Sequence, residues 1–134
     1  METKIKTKTK IKVEIDQDVK DLIKSENQEE RQVVLHCTSI STAVRVWPST
    51  YLYDKSSSHQ SKLISIYNIT WGPTWKHFTG DKPACFTLVF SALPKGVTAF
   101  DLREILPPQA GLGAPFIACN IIRNKTDVYN IELY

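Results

Sequence analysis

The sequence contains no CxxC pair, no HxH or HExxH spacing and no Gly-x-Ser-x-Gly elbow. The first absences remove the common zinc and dithiol arrangements. The last removes the strained turn that lifts a catalytic serine out of an α/β-hydrolase sheet. Gly111-Leu112-Gly113 is the nearest approach to a phosphate loop, and no helical pattern follows it. No stretch reaches the ~20 consecutive apolar residues of a membrane-spanning helix. The lysine-rich start leads into no apolar core of a secretory signal. These absences set an expectation of a cytoplasmic protein with no membrane partner, no cofactor and no bound metal.

Cysteine is also scarce. Cys37, Cys85 and Cys119 are odd in number and widely spaced, each inside an apolar run. Buried free thiols are the plainer reading. A Cys37–Cys85 or Cys37–Cys119 disulfide is the alternative in an oxidising compartment. Asp54, Ser56, Ser57, Ser58 and His59 stand together in the chain. Catalytic triads are assembled across a fold, however, and six adjacent polar residues read as a solvated hairpin loop. His36, His59 and His77 have no metal-ligand spacing. The chain is therefore expected not to be an enzyme.

What is present is β-pattern. From Thr3 to Ile15, Ile5, Thr7, Thr9, Ile11, Val13 and Ile15 alternate with Lys4, Lys6, Lys8, Lys10, Lys12 and Glu14. A period of two with β-branched residues on one side predicts a strand. Residues 16–30 break the pattern and read as a charged linker or a short helix. Strand-like runs then return over 32–40, 43–53, 62–71, 84–93, 98–105, 116–123 and 127–134, separated by Gly, Pro and Asn. Pro48 lies inside the second run and removes a ladder donor there. A chain of 134 residues is long enough to bury one core. The expected fold is all-β, a single β-sandwich domain over 1–134 with seven to nine mostly antiparallel strands.

The stretch from Phe86 to Glu104 reads F-T-L-V-F-S-A-L-P-K-G-V-T-A-F-D-L-R-E. It resembles a segment of small immunoglobulin-like β-sandwiches in uncharacterised bacterial proteins of the Bacteroidetes, where F-x-L-x-F is followed by L-P-K-G and F-D-L-x-E. The resemblance covers about twenty residues of the chain. It implies that the first run fills the core and that the Pro-Gly turn crosses between sheets.

Two surfaces are candidates for binding. Arg45, Trp47, Tyr51, Tyr53, Trp71, Trp75 and His77 fall within one segment that holds all three tryptophans of the chain. Tryptophan, tyrosine and arginine are the residues that dominate protein hot spots. In the run 43–53 the odd positions Arg45, Trp47, Tyr51 and Tyr53 share one strand face if Pro48 leaves the register alone. The opposite reading is that Trp47 belongs to the core. The second surface is the ridge of Lys4, Lys6, Lys8, Lys10 and Lys12, roughly 27 Å long at strand spacing. Residues 1–12 set those five lysines against Glu2 alone, and residues 13–30 set seven acids against Lys20 and Lys24. That cancellation, and the lack of stacking aromatics nearby, disfavour nucleic acid. Protection of a strand edge explains the lysines as well. The expected function is a non-catalytic interaction module that binds a protein partner, or its own copy as a homo-oligomer, through the aromatic and arginine surface. The alternatives are a carbohydrate-binding module using Trp71, Trp75 and Tyr53, and polyanion binding by the lysine ridge.

Overall fold

β-Branched and aromatic residues at every second position build most of the strands in the computed structural model, which describes residues 31–111 and 113–133. The strand expected over Thr3–Ile15, its five lysines and the segment 16–30 lie outside the described residues. The described part is all-β. Its strands are β1 (Val33–Ser39), β2 (Ala43–Val44), β3 (Thr50–Asp54), β4 (Gln60–Tyr67), β5 (Lys76–His77), β6 (Ala84–Phe90), β7 (Ala99–Glu104), β8 (Ile117–Ile122) and β9 (Val128–Leu133). A short 3-10 turn, Pro108–Ala110, precedes β8. These elements belong to one compact unit, Gln32–Tyr134.

Seven strands form one sheet in the order β8-β7-β3-β4-β6-β1-β9, and β2 and β5 form a separate two-stranded ribbon. All neighbours in the large sheet are antiparallel except β1 and β9, the first and last described strands. Two departures from the expected runs have local causes. The run 43–53 is split around Pro48, which cannot donate to a ladder, into β2 and β3. The run 62–71 stops at Tyr67, because Asn68 takes φ 62° and turns the chain.

β8 and β9 are opposite edges of the seven-stranded sheet, yet only Arg123–Asp127 separates them in the chain. Six steps of extended backbone reach at most about 21 Å. Six inter-strand spacings in a flat sheet cover about 29 Å. The sheet therefore has to roll, and it closes into a near-barrel. Its inward face carries Val33, Leu35 and Cys37 of β1, Phe86, Leu88 and Phe90 of β6, Leu52 of β3, and Phe100 and Leu102 of β7. Phe100 meets Tyr129 of β9 edge to face at 5.2 Å between ring centres. Each large side chain buried this way contributes about 1.5–3 kcal/mol.

The corner between β8 and β9 is latched. Arg123 Nε and Nη2 donate to the two carboxylate oxygens of Asp127 at 3.0 and 3.1 Å. The same guanidinium donates to the carbonyls of Pro94, Val97 and Leu93, which tie the β6–β7 connection to the corner. The Tyr129 hydroxyl donates to Asp127 at 2.9 Å and accepts the Asn124 N–H at 3.0 Å. Asp127 is 1% exposed and sits at φ 57°, a conformation that Asp tolerates better than most residues.

A second buried carboxylate secures the bulge between β7 and β8. Asp101 accepts the Asn120 N–H at 2.8 Å, where the pairing register shifts and Asn120 adopts φ 57°. That hydrogen bond, with Lys55 and Arg103 adding to it, holds the Asp101 carboxyl below its ordinary range. All three cysteines are free thiols. Cys37 faces the core, and burial pushes its thiol up to about 12, whereas Cys85 and Cys119 are exposed.

Removing one member of the corner latch leaves the other charged and buried. Arg123→Ala is expected to lose about 3–5 kcal/mol of stability in urea denaturation. A loss below ~1 kcal/mol, the worth of an exposed ion pair, would show that Arg123–Asp127 does not hold the corner.

Candidate functional site

The ribbon of β2 and β5 brackets the part of the chain that holds β3, β4 and all three tryptophans. Ala43 pairs with His77 and Val44 with Lys76. Beyond the ribbon, Val46 bridges Trp71 in parallel: the Val46 N–H donates to the Thr70 carbonyl, and the Gly72 N–H donates to the Val46 carbonyl. Val44 and Val46 point inward and are buried, so Arg45 between them points outward.

Arg45 is held in a fixed pose. Its Cζ lies 4.0 Å from the centre of the Trp75 ring and 5.2 Å from that of Trp47. Nη1 donates to the Pro73 carbonyl at 2.9 Å and Nη2 to the Ala110 carbonyl at 2.6 Å. The guanidinium therefore links the turn before Trp75 to the 3-10 turn at Pro108–Ala110. A planar cation with several donors suits this combination of ring stacking and carbonyl bonding, and lysine could not reproduce it.

Trp47 is the core member of the group. It is 8% exposed, while Trp71 and Trp75 keep 40% and 37% of their surface in water. The indole packs on Gly72: a Cβ at that position would fall 2.4 Å from Trp47 Cε2. Trp47 Nε1 is buried with no hydrogen-bond partner among the described residues. Its backbone is fixed from both sides, since its carbonyl accepts the Thr50 hydroxyl at 2.6 Å and its N–H donates to Glu104 Oε2 at 2.9 Å.

Glu104 is the residue that sequence reasoning missed. It ends β7, where Phe100 and Leu102 set the inward phase, so its carboxylate points into the protein. Oε2 takes the Trp47 N–H, and Oε1 takes the Phe116 N–H at 3.0 Å. One carboxylate thus joins the turn after β2 to the segment entering β8. Burial pushes its carboxyl above the ordinary value of 4.5, against the pull of the Phe116 and Trp47 N–H groups and of the Arg45 charge. An acidic side chain on the apolar phase of a strand was the available signal.

These groups surround a cleft of about 250 Å³ lined by Arg45, Trp47, Trp75, Glu104, Leu106 and Phe116, among others. A more open hollow, about 620 Å³, shares Ser41, Ala43, Arg45 and Trp75 with it and reaches Thr42 and His77. The structure thus brings Arg45, Trp47, Trp75 and His77 together, with half-exposed Trp71 bridged to Val46. Tyr51 and Tyr53 stand apart from the ribbon, on β3 of the large sheet. Their rings meet edge to face at 6.1 Å, and their strand partners are Lys62, Arg103, Gln60 and Asp101.

The 54–59 loop is organised as a turn. Asp54 accepts the Ser56 N–H and the hydroxyls of Ser56 and Ser57. These bonds hold its carboxyl below the ordinary range. The His59 backbone N–H donates to the Ser57 hydroxyl at 3.2 Å, while its ring Nε2 meets Ser61 at 2.9 Å, and the Ser61 hydroxyl donates to the Ala92 carbonyl. Ser61 is 0% exposed, so its hydroxyl does not face solvent. Among the described residues no group of three or more His, Cys, Asp or Glu side chains could hold a metal ion. No described helix is long and apolar enough to cross a membrane. No protein family, curated protein or solved structure matches the chain.

Two measurements test this geometry. Gly72→Ala places a methyl group on the Trp47 indole and is expected to cost about 1–3 kcal/mol, with red-shifted tryptophan emission. Unchanged stability and emission would mean that the indole does not rest on Gly72. For Glu104 the folded carboxyl lies above the unfolded value, so the fold binds the proton more tightly. Its contribution is fully present below pH 4.5 and is lost as pH rises through the raised folded value. Glu104→Gln cannot titrate. The stability of the wild type relative to this variant, from urea melts between about pH 4 and pH 8, is expected to fall across that window. A difference that is flat with pH would refute the shift.

Proposed function

We propose that this protein is a non-catalytic interaction module that recognises a segment of a protein partner at the cleft bounded by Arg45 and Trp75. The carrying observation is the pose of Trp75: a half-exposed ring, backed by the Arg45 guanidinium at 4.0 Å, that lines both hollows. A large ring already immobilised in the free protein costs little further entropy when a partner docks on it. Arginine and tryptophan are also the side chains whose loss most weakens interfaces. Leu106, Pro115, Phe116 and Leu133 give the inner cleft an apolar part beside its polar lining, and its volume suits one apolar side chain of the partner.

The fold supports an immunoglobulin-like sandwich as the finer description of the near-barrel. The Leu93-Pro94-Lys95-Gly96 connection carries the chain from β6, between β4 and β1, to β7, between β3 and β8. Within the one seven-stranded sheet this step passes over β4 and β3, and in an immunoglobulin-like sandwich the corresponding step would lead from one sheet to the other.

Peptides selected from a displayed random library against the whole chain test the reading. Selected peptides are expected to carry an apolar anchor and to bind Trp75→Ala roughly tenfold more weakly, the usual effect of removing a central aromatic. A Tyr51→Ala/Tyr53→Ala variant should bind them normally. Failure to enrich any peptide, or equal affinity for Trp75→Ala, would end the proposal.

A further inference from the structure

The outward face of β9, β1, β6 and β4 carries an ordered row of side chains that the cleft does not use. Strand register sets it: Asn130 lies opposite His36, His36 opposite Thr87, and Thr87 opposite Tyr67. Residues opposite one another in register point to the same face, so the four form a line roughly 14 Å long at the spacing of neighbouring strands. A second row, Glu132, Thr38 and Cys85, runs beside it. The two rows line an open groove of about 700 Å³.

The chemistry of this face is distinctive. Tyr67 is 59% exposed at one end of the row, where an aromatic ring stands in water against the sheet. His36 Nδ1 is engaged with the Thr87 hydroxyl at 2.9 Å, which ties the imidazole to its neighbour in the row. The Asn68 amide donates to the Cys85 carbonyl at 2.7 Å and secures the turn after Tyr67. Imidazole, amide and hydroxyl groups both donate and accept, so the row presents mixed neutral hydrogen-bonding capacity next to one ring face. Among the described residues no lysine or arginine lines the groove, and Glu132 is the one carboxylate. A phosphate- or sulfate-bearing ligand finds no cation among them. A largely apolar segment finds one ring in a polar strip.

We propose that this face binds a neutral oligosaccharide, with one sugar stacked on Tyr67 and its neighbours hydrogen-bonded along Thr87, His36 and Asn130. A sugar has an apolar face of C–H groups and a rim of hydroxyls that donate and accept, which is the complement of a ring followed by neutral polar side chains. The length of the row matches a short chain of sugars better than a single one. The ligand class and the surface both differ from those of the Trp75 cleft.

The test is titration calorimetry of the full chain with cellohexaose, xylohexaose, maltohexaose and chitohexaose. At least one is expected to bind. Tyr67→Ala should weaken it roughly tenfold, the equivalent of one stacked ring, and Tyr67→Phe should retain most of the affinity. Trp75→Ala should leave sugar binding unchanged, which separates this site from the peptide cleft. Tyr67 and Asn130 are exposed, so both substitutions leave the core intact; Asn130→Ala gives an independent reading and should weaken binding as well. Heat with none of the four sugars would overturn the proposal. So would binding that survives both Tyr67→Ala and Asn130→Ala, or binding that Trp75→Ala abolishes.

Discussion

Five residues join the two edges of a seven-stranded sheet, and the rest of the described structure follows from that restriction. A flat sheet would hold β8 and β9 too far apart for Arg123–Asp127 to connect them. Rolling brings the edges together and encloses the side chains that β1, β3, β6, β7 and β9 point inward. The ion pair of Arg123 with Asp127 keeps the corner closed, and its hydrogen bonds to the β6–β7 connection join the corner to a second part of the wall. A buried pair of this kind is weak evidence of net stability over an apolar alternative. Its role here is geometric: it determines which loop lies against which.

The cleft depends on a similar device. Glu104 uses its two oxygens on two backbone N–H groups from segments far apart in the chain, and those segments form opposite walls. Trp47 fills the space beneath, against a glycine that leaves room for its ring. Arg45 stacks above it and bonds two further carbonyls. Trp75 owes its pose to Arg45, and through the ring of Trp47 the assembly reaches the core. The surface around Trp75 is thus held by two polar side chains, Glu104 and Arg45, through hydrogen bonds to backbone groups.

The Tyr67 face is organised differently. Among the described residues strand register places its side chains, with the His36–Thr87 and Asn68–Cys85 hydrogen bonds added to it. Four neighbouring strands place one side chain each on a line, and a slip of one residue in any pairing would send that side chain to the core. The inward residues Leu35, Phe86 and Tyr129 oppose such a slip, so the apolar face fixes the polar one behind it.

How much of this was legible in the chain depended on whether the signal was local. Alternation over 32–40, 84–93 and 127–134 foretold β1, β6 and β9, because each strand has one face in the core and the period of two follows from that alone. Pro48 marked the break between β2 and β3, since a missing N–H is a property of the residue itself. The grouping of Arg45, Trp47, Trp75 and His77 was suggested by composition, but the separation of Tyr51 and Tyr53 from them was not. Their strand partners lie dozens of residues away, and pairing is decided by register across the whole sheet. Glu104 carried a faint signal as an acid on an apolar phase; its two N–H partners could not be read from it. By itself the sequence determined the all-β class, the strand faces and the turns, through local periodicity and backbone chemistry. Only the tertiary structure decided which tryptophan is buried, which carboxylate joins the loops and which side chains share a surface. Those outcomes depend on closing the sheet, and closure is a condition on all the strands together.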